Sequence, residues 1–189
     1  MKIFISGGCK NGKSYYAQGL AKYQQKNDSQ SLYYIATMNA VDKEDDERIK
    51  RHQEERAGLG FTTIEQGNDI ENILDACNHD GSFLLDSLTA LLANEMFLPD
   101  GAVYLKVVEK ITRGLQKVLA QIDNLVIVSD YIYGDAMQYD DLTEKYRKSL
   151  ATLDCLAAKH CDVVLEVCYT QIIVHKGKEL FDVLSKEIC

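Results

Sequence analysis

Along this chain, short apolar runs alternate with longer stretches whose apolar residues recur every three or four positions. The short runs predict strands at Lys2–Ser6, Ser31–Thr37, Phe61–Glu65, Ser82–Asp86 and Leu125–Ser129. The longer periodic stretches predict helices over Lys13–Lys26, Asp42–Arg56, Asp69–Cys77, Leu88–Phe97, Val103–Gln121 and Asp140–Lys159. The β-branched stretch Asp162–Lys176 predicts one or two final strands. Runs such as Leu125-Val126-Ile127-Val128 are apolar on both faces, as strands covered by helices on each side must be. Strands separated by helices of this length give βαβ units and a mainly parallel sheet flanked by helices.

No internal repeat, low-complexity tract or linker interrupts the pattern, so 189 residues are expected to form a single α/β domain over 1–189. The composition is globular: 46% hydrophobic, 26% charged, one proline and no tryptophan. A net charge of -8 gives no reason to expect nucleic acid or anionic lipid as a partner. Positive charge concentrates locally instead, near Lys13 and across Arg48–Arg56. Six scattered cysteines without a CxxC pair fit reduced thiols and a cytoplasmic setting. Ile3-Phe4-Ile5 is too short for a signal peptide, and no apolar stretch approaches the roughly 20 residues of a membrane span.

Between the first predicted strand and helix lies Gly7-Gly8-Cys9-Lys10-Asn11-Gly12-Lys13-Ser14, which satisfies G-x-x-x-x-G-K-[ST]. Glycines let the backbone wrap an anion with N–H groups inward, and the following helix adds its positive end. The lysine reaches the β- and γ-phosphates, and the hydroxyl holds Mg²⁺. A glycine-rich turn would match the fixed positions by accident in about one chain in a hundred, and the strand–loop–helix context is the expected one. The fold predicted is therefore an α/β P-loop NTPase fold of the RecA-like kind. Such sites need an acidic residue at another strand end to organise the metal. Asp86 and Asp130 both end strands; Asp86 is favoured, with a cap on the helix that follows as its alternative role.

The second chemical feature is the charged segment from Asp42 to Arg56. On a helix, Arg48, His52 and Arg56 fall at i, i+4 and i+8 on one face. Two readings fit. One is a solvated helix laced with pairs such as Glu44–Arg48 and Glu47–Arg51. The other is phosphate chemistry, with arginines gripping a triphosphate while a neutral imidazole attacks phosphorus. His79, His160 and His175 have no comparable setting.

Taken together these residues resemble the bifunctional adenosylcobinamide kinase / adenosylcobinamide-phosphate guanylyltransferase family of cobalamin biosynthesis. The resemblance runs through Gly7 to Ser14, Tyr34-Ile35-Ala36-Thr37, and Asp42, Glu44, Arg48, Ile49, His52 and Arg56. It continues through Phe61 to Glu65, with Phe61 where a tryptophan is usual, and through Leu85-Asp86-Ser87-Leu88-Thr89 with Asn94. What it implies is phosphorylation of the aminopropanol hydroxyl of adenosylcobinamide by ATP or GTP. GTP would then guanylylate His52, and the GMP would pass to adenosylcobinamide phosphate. The resemblance also implies nucleotide contacts near Ala36, Thr37, Arg56, Glu65 and Asp86, and a trimeric assembly.

The second half departs from the family pattern. Ser129-Asp130-Tyr131-Ile132-Tyr133-Gly134-Asp135 stands where S-N-E-V-G-x-G is expected. Tyr146-Arg147 fits, whereas Ala151, Asp154 and Thr170 replace a glycine, an asparagine and a glycine. A P-loop kinase for another small alcohol and a non-enzymatic nucleotide-binding protein are the rival expectations.

Overall fold

A computed structural model describes residues 1–27, 29–40 and 43–188, except the side chains of residues 48, 55 and 185–188. Seven strands form one sheet: β1 (Lys2–Gly7), β2 (Leu32–Ala36), β3 (Thr62–Glu65), β4 (Ser82–Asp86), β5 (Asn124–Asp130), β6 (Val163–Cys168) and β7 (Gln171–Lys176). Their spatial order is β3-β2-β4-β5-β1-β6-β7. Every neighbouring pair is parallel except β6 and β7, which form an antiparallel hairpin. This is the predicted P-loop α/β fold.

The helices are α1 (Lys13–Gln24), α2 (Lys43–Glu55), α3 (Ile73–Ala76), α4 (Leu88–Met96), α5 (Val107–Gln121), α6 (Asp141–His160) and α7 (Lys178–Ile188). Side chains alternate across each strand, so the sheet feeds two separate cores. Ile3, Ile5, Leu32, Tyr34, Leu84, Val126 and Val128 pack with Ala17, Leu20 and Ala21 of α1 and Leu184 of α7. Phe4, Ile35, Phe83, Leu85, Leu125 and Ile127 pack on the other face with residues of α4, α5 and α6. Because both faces are covered, β4 and β5 carry unbroken apolar runs.

Three elements differ from expectation. The helix predicted over Asp69–Cys77 is a 3₁₀ turn, Ile70–Asn72, followed by the single turn of α3. The long helix begins at Val107, because Val103 bridges antiparallel to Phe97. Helix α7 carries Phe181 and Leu184, three apart on one stripe, against the α1-side core. No helix among the described residues is long and apolar enough to cross a membrane.

Parallel pairing brings the C-terminal ends of six strands to one edge. In register, Ala36 lies beside both Glu65 and Asp86, and Gly7 lies beside Asp130 and Val167. The residues singled out in sequence at positions 7, 36, 65, 86 and 130 are thus gathered without any being near the others in the chain. In an open α/β sheet this is the edge where ligands bind.

Candidate nucleotide-binding site

The loop from Gly7 to Gly12 links β1 to α1, and its backbone needs its glycines. Gly12 sits in the left-handed region at φ 87°, where it precedes the helix, and Lys10 is also left-handed at φ 59°. A Cβ on Gly7 would run into the carbonyl of Val167 in β6, so only glycine lets the two strands close here. Cys9 and Lys10 are exposed on the loop's outer side, and Gly8 and Asn11 are half-buried. The α1 N-terminus has no side-chain cap. An uncapped helix start behind a curled glycine loop presents N–H groups to an anion, which is the chemistry of a phosphate cradle.

Lys13 is only 5% exposed, and its ammonium is held from two sides. Nζ donates to the carbonyl of Gly8 at 2.7 Å and pairs with Oδ1 of Asp130 at 2.5 Å. Asp130 is fixed by its backbone: its N–H donates to Oγ1 of Thr89 at 2.8 Å, and the next N–H, of Tyr131, donates to Gly7.

Asp86 closes the other side of the loop. Its Oδ2 lies 3.4 Å from the Ser14 hydroxyl and accepts from the Tyr34 hydroxyl at 2.8 Å. Burial pushes the Asp86 carboxyl up from its ordinary range and the Asp130 charge adds to that; the Tyr34 hydrogen bond and the charges of His52 and Lys13 oppose it. Ser87, not Asp86, caps α4, accepting from the Ala90 N–H. The capping alternative for Asp86 therefore fails, and its carboxylate faces the loop. A hydroxyl and a carboxylate converging beside a phosphate cradle are the hard oxygen donors Mg²⁺ takes from P-loop proteins. Among the described residues no cluster of three His, Cys, Asp or Glu side chains could hold a metal ion by itself.

Helix α2 reaches this edge through its C-terminal end. Arg56, just past the helix, is buried; its guanidinium lies 4.2 Å over the ring of Tyr34 and donates from Nε to Thr63 Oγ1 at 3.2 Å. Phe61 meets the same ring edge-on. A cavity of about 440 Å³ opens here, lined by Gln53, Arg56, Gly58, Phe61 and Thr63. His52, half-buried one turn before Arg56, is close enough for its charge to act on Asp86. Asp42 and the side chain of Arg48 lie outside the described residues.

The remaining predicted residues fall on the same edge with different surroundings. Glu65 is exposed at the end of β3 beside Ala36. Thr37 is fully buried: its Oγ1 accepts from the Ser87 N–H at 2.6 Å and lies 2.8 Å from the Ser87 carbonyl. Asn94 donates to the carbonyls of Thr37 and Gly67, tying the β2 end to α4.

Sequence reasoning missed Tyr34, which joins Arg56 to Asp86; its alternation in β2 puts it on the α1 side, but nothing in the sequence marks its hydroxyl. It also gave Arg147 no role. That side chain is buried at the start of α6 and clamps the loop after β5. It donates to the carbonyls of Ile132 and Met137, pairs with Asp135 at 2.8 Å and Glu144 at 2.6 Å, and stacks on Tyr139. A cleft of about 580 Å³ lies between this loop and α6.

A family model described as cobinamide kinase / cobinamide phosphate guanyltransferase matches residues 3–172. The bifunctional adenosylcobalamin biosynthesis proteins CobU of Escherichia coli K12 and Salmonella typhimurium LT2 are similar at 31% identity over 98 residues and 29% over 102. These matches cover 51% and 53% of this chain and the same shares of the relatives, so the chain spans about half the length of the curated relatives it matches. Among solved structures, the flagellar accessory protein FlaH from Methanocaldococcus jannaschii is similar at 13% identity and a TM-score of 0.47, over 93% of this chain and 77% of that one. The P4 protein from bacteriophage phi6, in complex with ADP, is similar at 11% identity and a TM-score of 0.40, over 90% and 52%. With the family match running from β1 into β7 and taking in the P-loop, Asp86 and the α2 helix, this chain belongs to the cobinamide kinase / cobinamide phosphate guanyltransferase family.

Proposed function

We propose that this chain is a kinase and guanylyltransferase that phosphorylates the aminopropanol hydroxyl of adenosylcobinamide and then transfers GMP from GTP to the product. The observation that carries the reading is Asp86, whose Oδ2 borders Ser14 of the P-loop and accepts from Tyr34, the ring that carries Arg56 at the end of the His52 helix. One carboxylate is thus connected both to the triphosphate cradle and, through Tyr34, to the end of the helix that bears His52.

In the first step Gly7, Gly8, Cys9, Lys10, Asn11 and Gly12 cradle the phosphates of ATP or GTP, and Lys13 neutralises charge at the oxygens around the transferred group. The acceptor oxygen bonds to the γ-phosphorus as the bond to the β–γ bridging oxygen breaks. Ser14 and Asp86 are the residues that would hold Mg²⁺, which when bound neutralises phosphate charge. In the second step the unprotonated imidazole nitrogen of His52 attacks the α-phosphorus of GTP, and pyrophosphate leaves. A phosphate oxygen of adenosylcobinamide phosphate then displaces the histidine, giving adenosylcobinamide-GDP and restoring His52. Arg56, with Arg48, serves the nucleotide phosphates, while Ala36, Thr37 and Glu65 border the nucleotide at the strand ends. The cleft clamped by Arg147 directly follows Asp130 and is the natural approach for the bulky acceptor.

We read the described residues as one domain. The exposed apolar patch Phe97, Leu98, Val103, Tyr104 and Leu105 supports assembly of several copies, with a trimer as the family resemblance implies. The test is incubation with α-labelled GTP and Mg²⁺. Acid-labile, alkali-stable label on His52, absent from His52→Ala, is the expected result. An unlabelled wild type, or full labelling of His52→Ala, overturns the mechanism.

A further inference from the structure

Lys13 has one ammonium and, in this structure, already has an anion. Its Nζ lies 2.5 Å from Oδ1 of Asp130, with the Gly8 carbonyl as second partner, and the ion pair is largely shielded: Lys13 is 5% exposed and Asp130 21%. A P-loop lysine carries the terminal phosphates of its nucleotide. The carboxylate therefore stands where a phosphate oxygen must come. It cannot drift away with a mobile loop, because Asp130 ends β5 in register with Gly7, its N–H is bonded to Thr89, and the N–H of Tyr131 is bonded to Gly7. With the backbone fixed, the pair can part only by rotation of one of the two side chains, and either way a carboxylate stays beside the incoming phosphate. Two further carboxylates, Asp86 and Asp154, feel the Asp130 charge, so the surroundings of the pair already carry several like charges.

We propose that Asp130 is a specificity-determining residue that occupies, on Lys13, the place of the terminal phosphate, and so sets the site's relative affinity for tri- and diphosphates. With a diphosphate bound, the carboxylate keeps its contact and completes the lysine's coordination. With a triphosphate bound, the γ-phosphate and the carboxylate compete for one ammonium and repel each other. Asp130 thus weakens triphosphate binding selectively. Once the γ-phosphoryl group has left, the carboxylate returns to the vacated position on Lys13, which favours the post-transfer state. The inference rests on the nucleotide-binding reading of the P-loop and is independent of the acceptor.

The experiment measures dissociation constants for Mg-GTP and Mg-GDP by calorimetry on the full chain, for wild type, Asp130→Asn and Asp130→Ser, with thermal melts to establish folding. Removing the like charge is expected to tighten GTP about tenfold or more while GDP changes less than about threefold. Equal tightening of both nucleotides, no change, or weaker GTP binding in the folded variants overturns the proposal. Wild type that binds nucleotide with any of those outcomes sinks the proposal alone. If neither wild type nor any folded variant binds either nucleotide, the P-loop reading falls and the proposal falls with it. Should Asp130→Asn not fold, Asp130→Ser gives the same comparison.

Discussion

The Tyr34 hydroxyl donates to Oδ2 of Asp86 at 2.8 Å, while the face of the same ring carries the guanidinium of Arg56 at 4.2 Å. A single residue of β2 therefore couples the end of α2 to the acidic residue beside the P-loop. Both contacts depend on β2 lying next to β4 in the sheet.

Tyr34→Phe keeps the ring and its contact with Arg56 but deletes the hydroxyl. A hydrogen bond to a charged group contributes about 1.5–3 kcal/mol. Asp86 would lose the bond that favours its ionised form, and Mg-nucleotide affinity is expected to fall about three- to thirtyfold, with the melting temperature lowered by several degrees. Titration with a fluorescent GTP analogue measures this, and an unchanged affinity would remove Tyr34 from the site.

Thr37 and Ser87 test a different kind of contribution. The buried Thr37 hydroxyl bonds both to the N–H and to the carbonyl of Ser87. Thr37→Val leaves those groups unpartnered inside the protein and is expected to lower stability by about 1–3 kcal/mol. Thr37→Ser keeps the hydroxyl and should stay within about 1 kcal/mol of wild type. Urea unfolding of the pair separates this from a role confined to nucleotide contact.

Arg147→Ala should loosen the loop after β5. The variant strands Glu144 and Asp135 and frees the carbonyls of Ile132 and Met137, but Asp135 is half-exposed, so water recovers part of the loss. A destabilisation of about 1–3 kcal/mol is expected, together with faster proteolytic cleavage within 131–140. Lysine at this position should fail to restore the wild-type cleavage rate, because it lacks the planar fork that reaches several partners at once.

Asp154 gives a pH dependence. It is buried in α6, accepts from the Tyr133 hydroxyl at 2.7 Å, and has a carboxyl pushed up from its ordinary 3.8 mainly by burial, with the Asp130 charge adding to the rise. A carboxyl whose folded pKa is raised favours folding at low pH. That contribution fades as pH climbs from about the ordinary value through the raised one, and it stays lost above that. Asp154→Asn keeps an acceptor for Tyr133 without the charge. The variant is expected to be more stable than wild type by about 1–2 kcal/mol at neutral pH, and the gap should close below about pH 4. Thermal melts across this range measure it; a gap independent of pH would show that Asp154 is ionised at no cost.

Much of this architecture could be read from residues alone. Doubly apolar runs marked β4 and β5 because both of their faces are covered, and the P-loop declared itself because few backbones tolerate that many glycines without a ligand to wrap. The reading of α2 was right in place and length to within a residue at either end. Other features were closed to it. Whether Asp86 capped α4 or faced the loop turned on Ser87, and the two residues look equally able to cap in sequence. The Lys13–Asp130 pair and the Tyr34 bridge join positions 117 and 52 residues apart, and only the strand order brings them together. Helix α7 went unread although Phe181 and Leu184 are spaced for one helical stripe, and the surface that stripe covers, α1, lies at the opposite end of the sequence.

The β6–β7 hairpin, described above as the antiparallel edge of the sheet, has one more consequence. Its turn residues Tyr169 and Thr170 both adopt positive φ, and the Thr170 carbonyl accepts from Tyr16 of α1 at 2.8 Å, while Val167 walls in Gly7. The phosphate loop near residue 10 is therefore bounded by backbone made some 160 residues later. During synthesis its glycines emerge early and stay without that boundary until β6 and the turn have left the ribosome. Nucleotide can act as a ligand that stabilises the fold only after the β6–β7 turn has been made, and a chain cut short before residue 170 would carry the whole motif and no finished cradle.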